Sequence, residues 1–427
     1  MSALLDTASG PVESGPTLRK VAVVGLGYVG RPLALELYRH GHHVVGYDLT
    51  AGRRTQAARD AATVTPRGGA RFRTVRSPAA LRGCDAFVVA VPTPVGDDDR
   101  PDLSAVEAAC RDVGGALAPG SLVSFESTVH PGVTRGVCVP ILEERSGLVA
   151  GRDFHVAFSP ERIAPGEVGL TEVVKVVGGL DEASSRAAWD LYGPVVAAGL
   201  VAVSSLEAAE LTKLVENGQR DVNIAFMNEV NEYAHALGVD LAEVLAACRT
   251  KWSFKDFRPG LVGGHCIAVD PYYLLDHAAA IGVDMTATAS ARATNARYHQ
   301  RLAGRIEALV AGRGERPRVV VYGTTYKPDV DDTRNSGPLR LAAHLRERGF
   351  DVTTLDRLVD DPAHVAAVLA GPRSSRLVVV AVVHAVHRAR LAGDLDVLAG
   401  DDGLVVSLTA VAGRDVVPER LELTALL

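Results

Sequence analysis

Residues 21–30 read VAVVGLGYVG, and this stretch decides the fold. Val21–Val24 is a continuous run of Val and Ala, the pattern of a parallel strand covered on both faces. Glycines end it, and RPLALELYRHG follows with helical spacing, Leu33 and Leu37 on one side, stopping at Gly41. HHVVGYD then reads as a second strand that closes on Asp48. Gly25, Gly27 and Gly30 form GxGxxG between strand and helix. The first glycine permits the tight turn, the second lets a diphosphate approach the backbone, and the third lets helix and strand pack. The helix N-terminus then faces the diphosphate.

Asp48 follows Gly30 by 18 residues, at the strand end where a carboxylate accepts from both ribose hydroxyls. It would repel a 2′-phosphate, so NAD is expected rather than NADP, with Arg53 placed either to stack on adenine or to attract a phosphate. Further apolar runs at 86–91, 122–125, 154–158, 173–179 and 200–204 alternate with helical stretches, which predicts a doubly wound parallel sheet. Residues 204–238 contain no proline and predict a long helix, opened by a Ser cap with acids in its first turn. A loop-rich segment, KWSFKDFRPGLVGGHCIAVDPYY, leads to more helix as far as about residue 313, and GRGERP at 312–317 is linker-like. RVVVYGTTYKP, DVTTLD, RLVVVAVV and GLVVSL then make a second, smaller α/β unit without the full glycine fingerprint. The fold class is therefore α/β, with two Rossmann-like domains joined by a long central helix and a helical core. The expected boundaries are a tail at 1–18, an NAD domain at 19–204, a helical core at 205–313 and a C-terminal domain at 314–427.

Composition narrows the class of protein. Hydrophobic residues make up 47% and charged residues 22% of 427, enough for sizeable cores without a metal or disulfide scaffold. Lys and Arg number 45 against 51 Asp and Glu, a net charge of −6, which speaks against nucleic acid or anionic membrane as partners. Five cysteines without CxxC spacing point away from disulfides and zinc, and no metal is expected. The first 18 residues read as a loose tail and not as a signal peptide, and no apolar run spans a membrane, so the expected location is cytoplasmic.

One cysteine stands apart. Cys266 lies in PGLVGGHCIAVDPYY, with Gly263 and Gly264 before it and Asp270 four residues on. A thiolate in a polar, glycine-rich loop can attack an aldehyde carbon, whereas each of the other four reads as a small buried apolar group. Lys213 and Asn217 are four apart and so share a helix face.

GLGYVG (25–30), VPTP (91–94), ESTVHPG (126–132), SPERI (159–163), AELTKLVEN (209–217), GGHCIAVDP (263–271) and YGTTYKPDVDDTRNS (322–336) occur in this order. Together they resemble the UDP-glucose/GDP-mannose dehydrogenase family, over nearly the whole chain beyond the tail. The resemblance implies an NAD domain, a helical dimerisation core, a C-terminal nucleotide-binding domain, a nucleotide-sugar substrate and a homodimer. It implies a four-electron oxidation of a sugar C6 alcohol to a carboxylate with two NAD, through a Cys266 thioester. Lys213 and Asn217 look like the family's stabilisers of the alkoxide and tetrahedral intermediates. Glu161 and Asp270 match its acidic positions, with Glu161 chosen as general base, and Thr128 matches its water-positioning Thr. Tyr28, Val29, Pro92, Thr93, Thr128 and Arg334 match cofactor contacts. Arg162, Arg258, Gly263 and Lys327 join Glu161, Lys213 and Asn217 as substrate contacts, and Arg249 sits where some relatives send an arginine into the partner subunit.

His265 and Val269 stand where relatives acting on UDP-glucose carry an aromatic residue and a Lys, so the segment is similar instead to dehydrogenases of UDP-N-acetylhexosamines. ENGQRDVNIAFMNE looks most like the UDP-N-acetylglucosamine 6-dehydrogenase branch, and HCIAVDP occurs in the N-acetylmannosamine branch as well. Gly218 replaces a usual Thr, and AVVHAVHR matches the usual histidine segment only roughly. The competing readings are a two-electron β-hydroxyacid dehydrogenase, which lacks the glycine-flanked Cys and the second α/β domain, and a non-catalytic NAD-binding regulator, against which the full set Cys266, Lys213, Asn217 and Asp270 argues.

Overall fold

The computed structural model describes residues 19–427 other than 97, 164–168, 314–315, 372–375, 401–402, 410 and 414. The expected tail at 1–18 and the middle of the linker-like 312–317 stretch lie outside the described residues. The chain divides into two compact units, one running to Glu216 and including Tyr272–Gly282, the other comprising Asn217–Pro271 and Val283–Leu427.

The first unit is built on an eight-stranded sheet. Its strands are β1 (Lys20–Val24), β2 (His43–Tyr47), β3 (Phe72–Val75), β4 (Ala86–Val89), β5 (Leu122–Phe125), β6 (His155–Phe158), β7 (Lys175–Gly179) and β8 (Leu200–Val203). Their order is β3-β2-β1-β4-β5-β6-β7-β8. Ala22 and Val24 of β1 enter one core while Val21 and Val23 enter the other, so covering both faces demands the continuous apolar run. The sheet is parallel except at one pair, where β7 runs antiparallel to β6 with Ala157 opposite Gly179. The parallel sheet expected from alternation is corrected at that step. The edge strand β3 is only half-buried and its sequence, FRTV, gives no apolar run by which to find it.

The second unit has a five-stranded, all-parallel sheet of β9 (Arg318–Tyr322), β10 (Val352–Leu355), β11 (Arg376–Val380), β12 (Leu404–Ser407) and β13 (Glu422–Ala425), ordered β10-β9-β11-β12-β13. Val319 and Val321 face one core and Val320 and Tyr322 the other, as in β1. The two α/β parts read from the sequence are both present.

The long helix runs Leu206–Leu237. Ser205 Oγ accepts from the Ala208 N–H at 3.1 Å, the expected Ser cap. Gly238, at φ +67°, ends it, and Val239 N–H turns back to the Ala234 carbonyl at 2.9 Å. Asp240 then caps a short helix, Leu241–Cys248. The helical stretch expected up to about 313 is two helices, Asp270–Ala280 and Thr286–Val310. Among the described residues no helix is long and apolar enough to cross a membrane.

Candidate active site

The first unit gathers its motifs on one sheet edge. β1, β2, β4, β5 and β6 run parallel, so the segments leaving their carboxyl ends share that edge: Gly25–Gly30, Asp48, VPTP, ESTVHPG and SPERI. Ligands of open α/β sheets bind in this crevice. The three glycines differ in what surrounds them. Gly25 has φ +93°, and a Cβ on it would lie 2.4 Å from the Ala90 carbonyl oxygen. A Cβ on Gly30 would meet the Gly25 oxygen at 1.9 Å, so this glycine sets helix against turn. A Cβ on Gly27 would meet nothing within 4 Å. The middle position is thus open space, as a cradle for a diphosphate requires, and the helix beginning at Gly30 has no side-chain cap competing for its first N–H groups.

Asp48 is 6% exposed at the end of β2. Its Oδ2 accepts the Leu26 N–H at 2.8 Å and its Oδ1 the Thr50 N–H at 2.7 Å, which ties the acid to the glycine turn. Arg53 Nη1 is 3.7 Å from Asp48 Oδ2, so the arginine faces the acid. Tyr28 and Pro92 are exposed, Val29 and Thr93 half-buried, and the Thr93 carbonyl accepts from Tyr273 Oη at 3.1 Å.

Lys213 is buried on the long helix. Its Nζ donates to the Glu161 carbonyl at 2.7 Å and to Glu161 Oε2 at 3.3 Å, so two motifs 52 residues apart meet. Glu161 Oε1 accepts the Ile163 N–H, and Arg162 reaches Glu216 at 2.6 Å. Thr128 is half-buried in the loop after β5. Two buried acids beside these residues escape a sequence reading. Glu210, one turn before Lys213, accepts the N–H groups of Gly132 at 2.6 Å and Thr134 at 2.8 Å, fixing the loop that holds Thr128. Glu126 pairs with Lys175 at 3.0 Å in the interior, where burial pushes its carboxyl above the ordinary range against the pull of the lysine. A lone charged residue inside VVKVVGG or ESTVHPG gives no sign of a buried pair until the strands are placed.

In the second unit Cys266 is half-buried in a turn, and its carbonyl accepts the N–H groups of Val269 at 3.0 Å and Asp270 at 2.8 Å. Asp270, 1% exposed, accepts from Asn217 Nδ2 at 2.5 Å. Gly263 and Gly264 make close approach possible as expected, and what approaches is protein. A Cβ on Gly263 would lie 2.6 Å from the Asn335 oxygen, and one on Gly264, at φ +82°, 2.8 Å from the Tyr326 ring. His265 Nε2 meets Asp332 Oδ2 at 2.6 Å, and Arg334 grips the same carboxylate through Nε at 3.0 Å and Nη2 at 2.8 Å. Burial alone would raise the Asp332 carboxyl; the bonds from Arg334 and His265 outweigh it and hold it well below its usual range. Arg258 is exposed and pairs with Asp256, a carboxylate shared with Arg249. Lys327 is half-buried in the loop after β9.

A glycine turn open at its middle position, an acid at the next strand end and polar groups along one sheet edge define a nicotinamide-dinucleotide oxidoreductase. The chain belongs to the UDP-glucose/GDP-mannose dehydrogenase family: residues 19–196 match its NAD binding domain, 207–297 its central domain and 320–392 its UDP binding domain. It is 38% identical over 360 residues to the UDP-N-acetyl-D-glucosamine 6-dehydrogenase of Pseudomonas aeruginosa, covering 81% of this chain and 85% of that protein. It is 38% identical over 348 residues to Protein CapL of Staphylococcus aureus, covering 79% and 82%. The solved structure of UDP-D-ManNAc dehydrogenase from Pyrococcus horikoshii superposes with a TM-score of 0.82 at 28% identity, covering 95% of this chain and 99% of that one. The protein is accordingly an NAD-dependent nucleotide-sugar dehydrogenase.

Proposed function

We propose that the protein oxidises the C6 hydroxymethyl of UDP-N-acetylglucosamine to the carboxylate, through a thioester on Cys266. The observation that carries this reading is the short path from the Cys266 backbone to the Asn217 amide: the Cys266 carbonyl holds the Asp270 N–H, and the Asp270 carboxylate holds Asn217. Bound NAD supplies the hydride acceptor for each of the two oxidations. Gly25, Gly27 and Gly30, with Tyr28, Val29, Pro92 and Thr93, shape its crevice, and Asp48 takes the ribose. Cys266 Sγ adds to the aldehyde carbon after the first oxidation, so C6 stays attached as a thiohemiacetal and then as a thioester until water releases the acid. Lys213 supplies positive charge and Asn217 an amide donor for the oxygen as it gains charge. Glu161 takes the proton of the hydrolytic water, Thr128 orients that water, and Asp270 supports Asn217. Lys327, Arg162, Arg258 and Gly263 are the proposed substrate contacts. Arg334, which grips Asp332 through Nε and Nη2, is a proposed cofactor contact.

The name of the Pseudomonas relative supports the sugar assignment. The Pyrococcus horikoshii UDP-N-acetyl-D-mannosamine dehydrogenase, 36% identical over 361 residues, favours the epimer as the second reading. A homodimer is proposed on the second unit's exposed face of the long helix, where Phe226, Tyr233 and Leu237 are 61%, 67% and 58% exposed. The test offers UDP-GlcNAc, UDP-ManNAc, UDP-glucose, UDP-GalNAc and the GDP and dTDP sugars, each with NAD and NADP. Two NADH per sugar acid, fastest with UDP-GlcNAc and NAD, is expected. One NADH per turnover with free aldehyde would end the four-electron reading.

A further inference from the structure

We infer that Arg292, backed by Asp221, is a positioning residue for the Cys266 thiol; the inference rests on the reading of Cys266 as nucleophile. Arg292 lies on the helix Thr286–Val310 and is 5% exposed. Its Nη1 is shared between Asp221 Oδ1 at 2.9 Å and the carbonyl of Ile267 at 3.1 Å, the residue directly after Cys266. Asp221, on the long helix, is wholly buried and also accepts from Asn295 Nδ2 through its carbonyl at 2.9 Å and Oδ1 at 2.7 Å. Asn295 Oδ1 in turn accepts from Asn228 Nδ2 at 2.9 Å. Asn228 clamps both backbone groups of Gly260, accepting its N–H at 2.8 Å and donating to its carbonyl at 3.1 Å.

One buried network on two helices therefore grips the cysteine loop at Gly260 and at Ile267, with Cys266 between the grips. A fully buried charge pair costs desolvation that its own attraction barely returns, so its presence asks for a further role. Here the guanidinium's bond to the Ile267 carbonyl answers it. The Cys266 carbonyl is fixed by Val269 and Asp270, the next carbonyl by Arg292, and the backbone carrying Sγ has little room to turn. Holding Sγ in place matters because a misplacement of about 1 Å costs a reaction about 100-fold.

The consequence is a split between the two oxidations. The first makes the aldehyde without the thiol, and only the second needs Sγ on C6. The test compares Arg292→Gln, Arg292→Lys, Asp221→Asn and Cys266→Ser with the parent enzyme, counting NADH against sugar acid and trapping aldehyde with hydroxylamine. Arg292→Gln should lower acid formation about 100-fold, leave the KM for NAD within about two-fold, and release aldehyde with one NADH, the signature of Cys266→Ser. Arg292→Lys, which restores one donor to the Ile267 carbonyl, should recover part of the second oxidation, and Asp221→Asn should lie between it and the parent. Two NADH per acid at the parental rate in the Arg292 and Asp221 variants overturns the inference. So does loss of both oxidations in step with loss of folded protein. If Cys266→Ser itself keeps the four-electron rate, the nucleophile reading fails instead, whatever Arg292→Gln does.

Discussion

Alanine at Gly27 and alanine at Gly30 should fail in different ways, although the two glycines belong to one motif. At Gly30 the added methyl would sit 1.9 Å from the Gly25 oxygen and 3.2 Å from Ala90 Cβ, both part of the packed turn. Helix and turn must separate, which in a close-packed region costs about 1–3 kcal/mol. At Gly27 the methyl meets no protein atom within 4 Å, so folding stability should stay within about 0.5 kcal/mol of the parent. What the methyl occupies is the space through which a diphosphate reaches backbone N–H groups. Losing one charge-assisted hydrogen bond there costs about 1.5–3 kcal/mol, and about 1.4 kcal/mol is tenfold in affinity. Gly27→Ala should therefore weaken NAD binding between about 10- and 150-fold while unfolding with the parent. The assay is NAD titration by calorimetry beside urea unfolding followed at Trp189, a fluorophore of the first unit, in a Trp252→Phe background. UDP titration supplies a control that should not move. Parental NAD affinity in Gly27→Ala would refute the assignment of the middle glycine to the ligand, and early unfolding of Gly27→Ala would refute the structural reason for it.

Three further outcomes are expected. Lys175→Met leaves the Glu126 carboxylate alone in the interior and should cost about 3–5 kcal/mol, most of it recovered in the Lys175→Met/Glu126→Gln double variant; urea unfolding of the first unit measures both. Gly264→Ala sets a methyl 2.8 Å from the Tyr326 ring at a left-handed backbone position and should destabilise by about 1–3 kcal/mol, with kcat falling more than the KM for NAD rises. Burial, with His344 and Arg340 nearby, lowers His299 from 6.5 to about 4, so the unfolded chain binds its proton first. Stability is then unaffected above pH 6.5 and falls as the pH drops from 6.5 to 4, by at most about 3 kcal/mol, and His299→Leu should flatten that part of the melting-temperature profile.

Where burial and hydrogen bonding are local, the sequence was readable. The β1–Gly25–Asp48 sequence is such a case, because strand, turn and acid lie within about 30 residues, the span of one βαβ unit. The long helix is another, since Ser205 and Gly238 mark its ends within the chain itself. The missed strands β3 and β13 lie at sheet edges and are half-exposed, so neither carries a hydrophobic run. The reversal of β7 against β6 is a matter of chain direction, which periodicity does not encode. The buried charges were hidden for a related reason. Asp221, Glu210 and Arg292 look like ordinary polar helix positions until the covering element is known: Glu210 meets the N–H groups of Gly132 and Thr134, Arg292 the Ile267 carbonyl, and Asp221 the side chains of Arg292 and Asn295, all far along the chain. The cysteine loop combines both situations: its glycines announce a close approach, but the partners Tyr326 and Asn335 come from a motif some sixty residues later.

The weak repeat between the two α/β domains explains why only one of them carries the dinucleotide signature. Gly25 and Gly323 each follow the first strand of their sheet at positive φ, and each donates its N–H to the end of the neighbouring strand, Tyr47 and Leu355, at 2.8 Å. Asp48 and Asp356 each follow that neighbour and accept from the residue after the glycine, Leu26 at 2.8 Å and Thr324 at 2.7 Å. The turn-and-acid arrangement is therefore a property of the strand crossing and not by itself a mark of a cofactor. The difference lies in what else the acid holds. Asp356 also accepts from Thr325 and Leu358, and its Oδ1 lies 3.0 Å from His384 Nε2. His384 Nδ1 accepts the Asp329 N–H at 2.9 Å, so the proton must sit on Nε2 and be donated to Asp356. Asp356 is 1% exposed with four protein donors on its carboxylate, and through His384 and Asp329 it holds the loop that carries Lys327. Asp48, with two backbone bonds and an arginine at 3.7 Å, keeps accepting capacity in reserve. GxGxxG distinguishes the domains because only the first has a second glycine with nothing in front of it, and that empty space, more than the acid, is what the motif encodes.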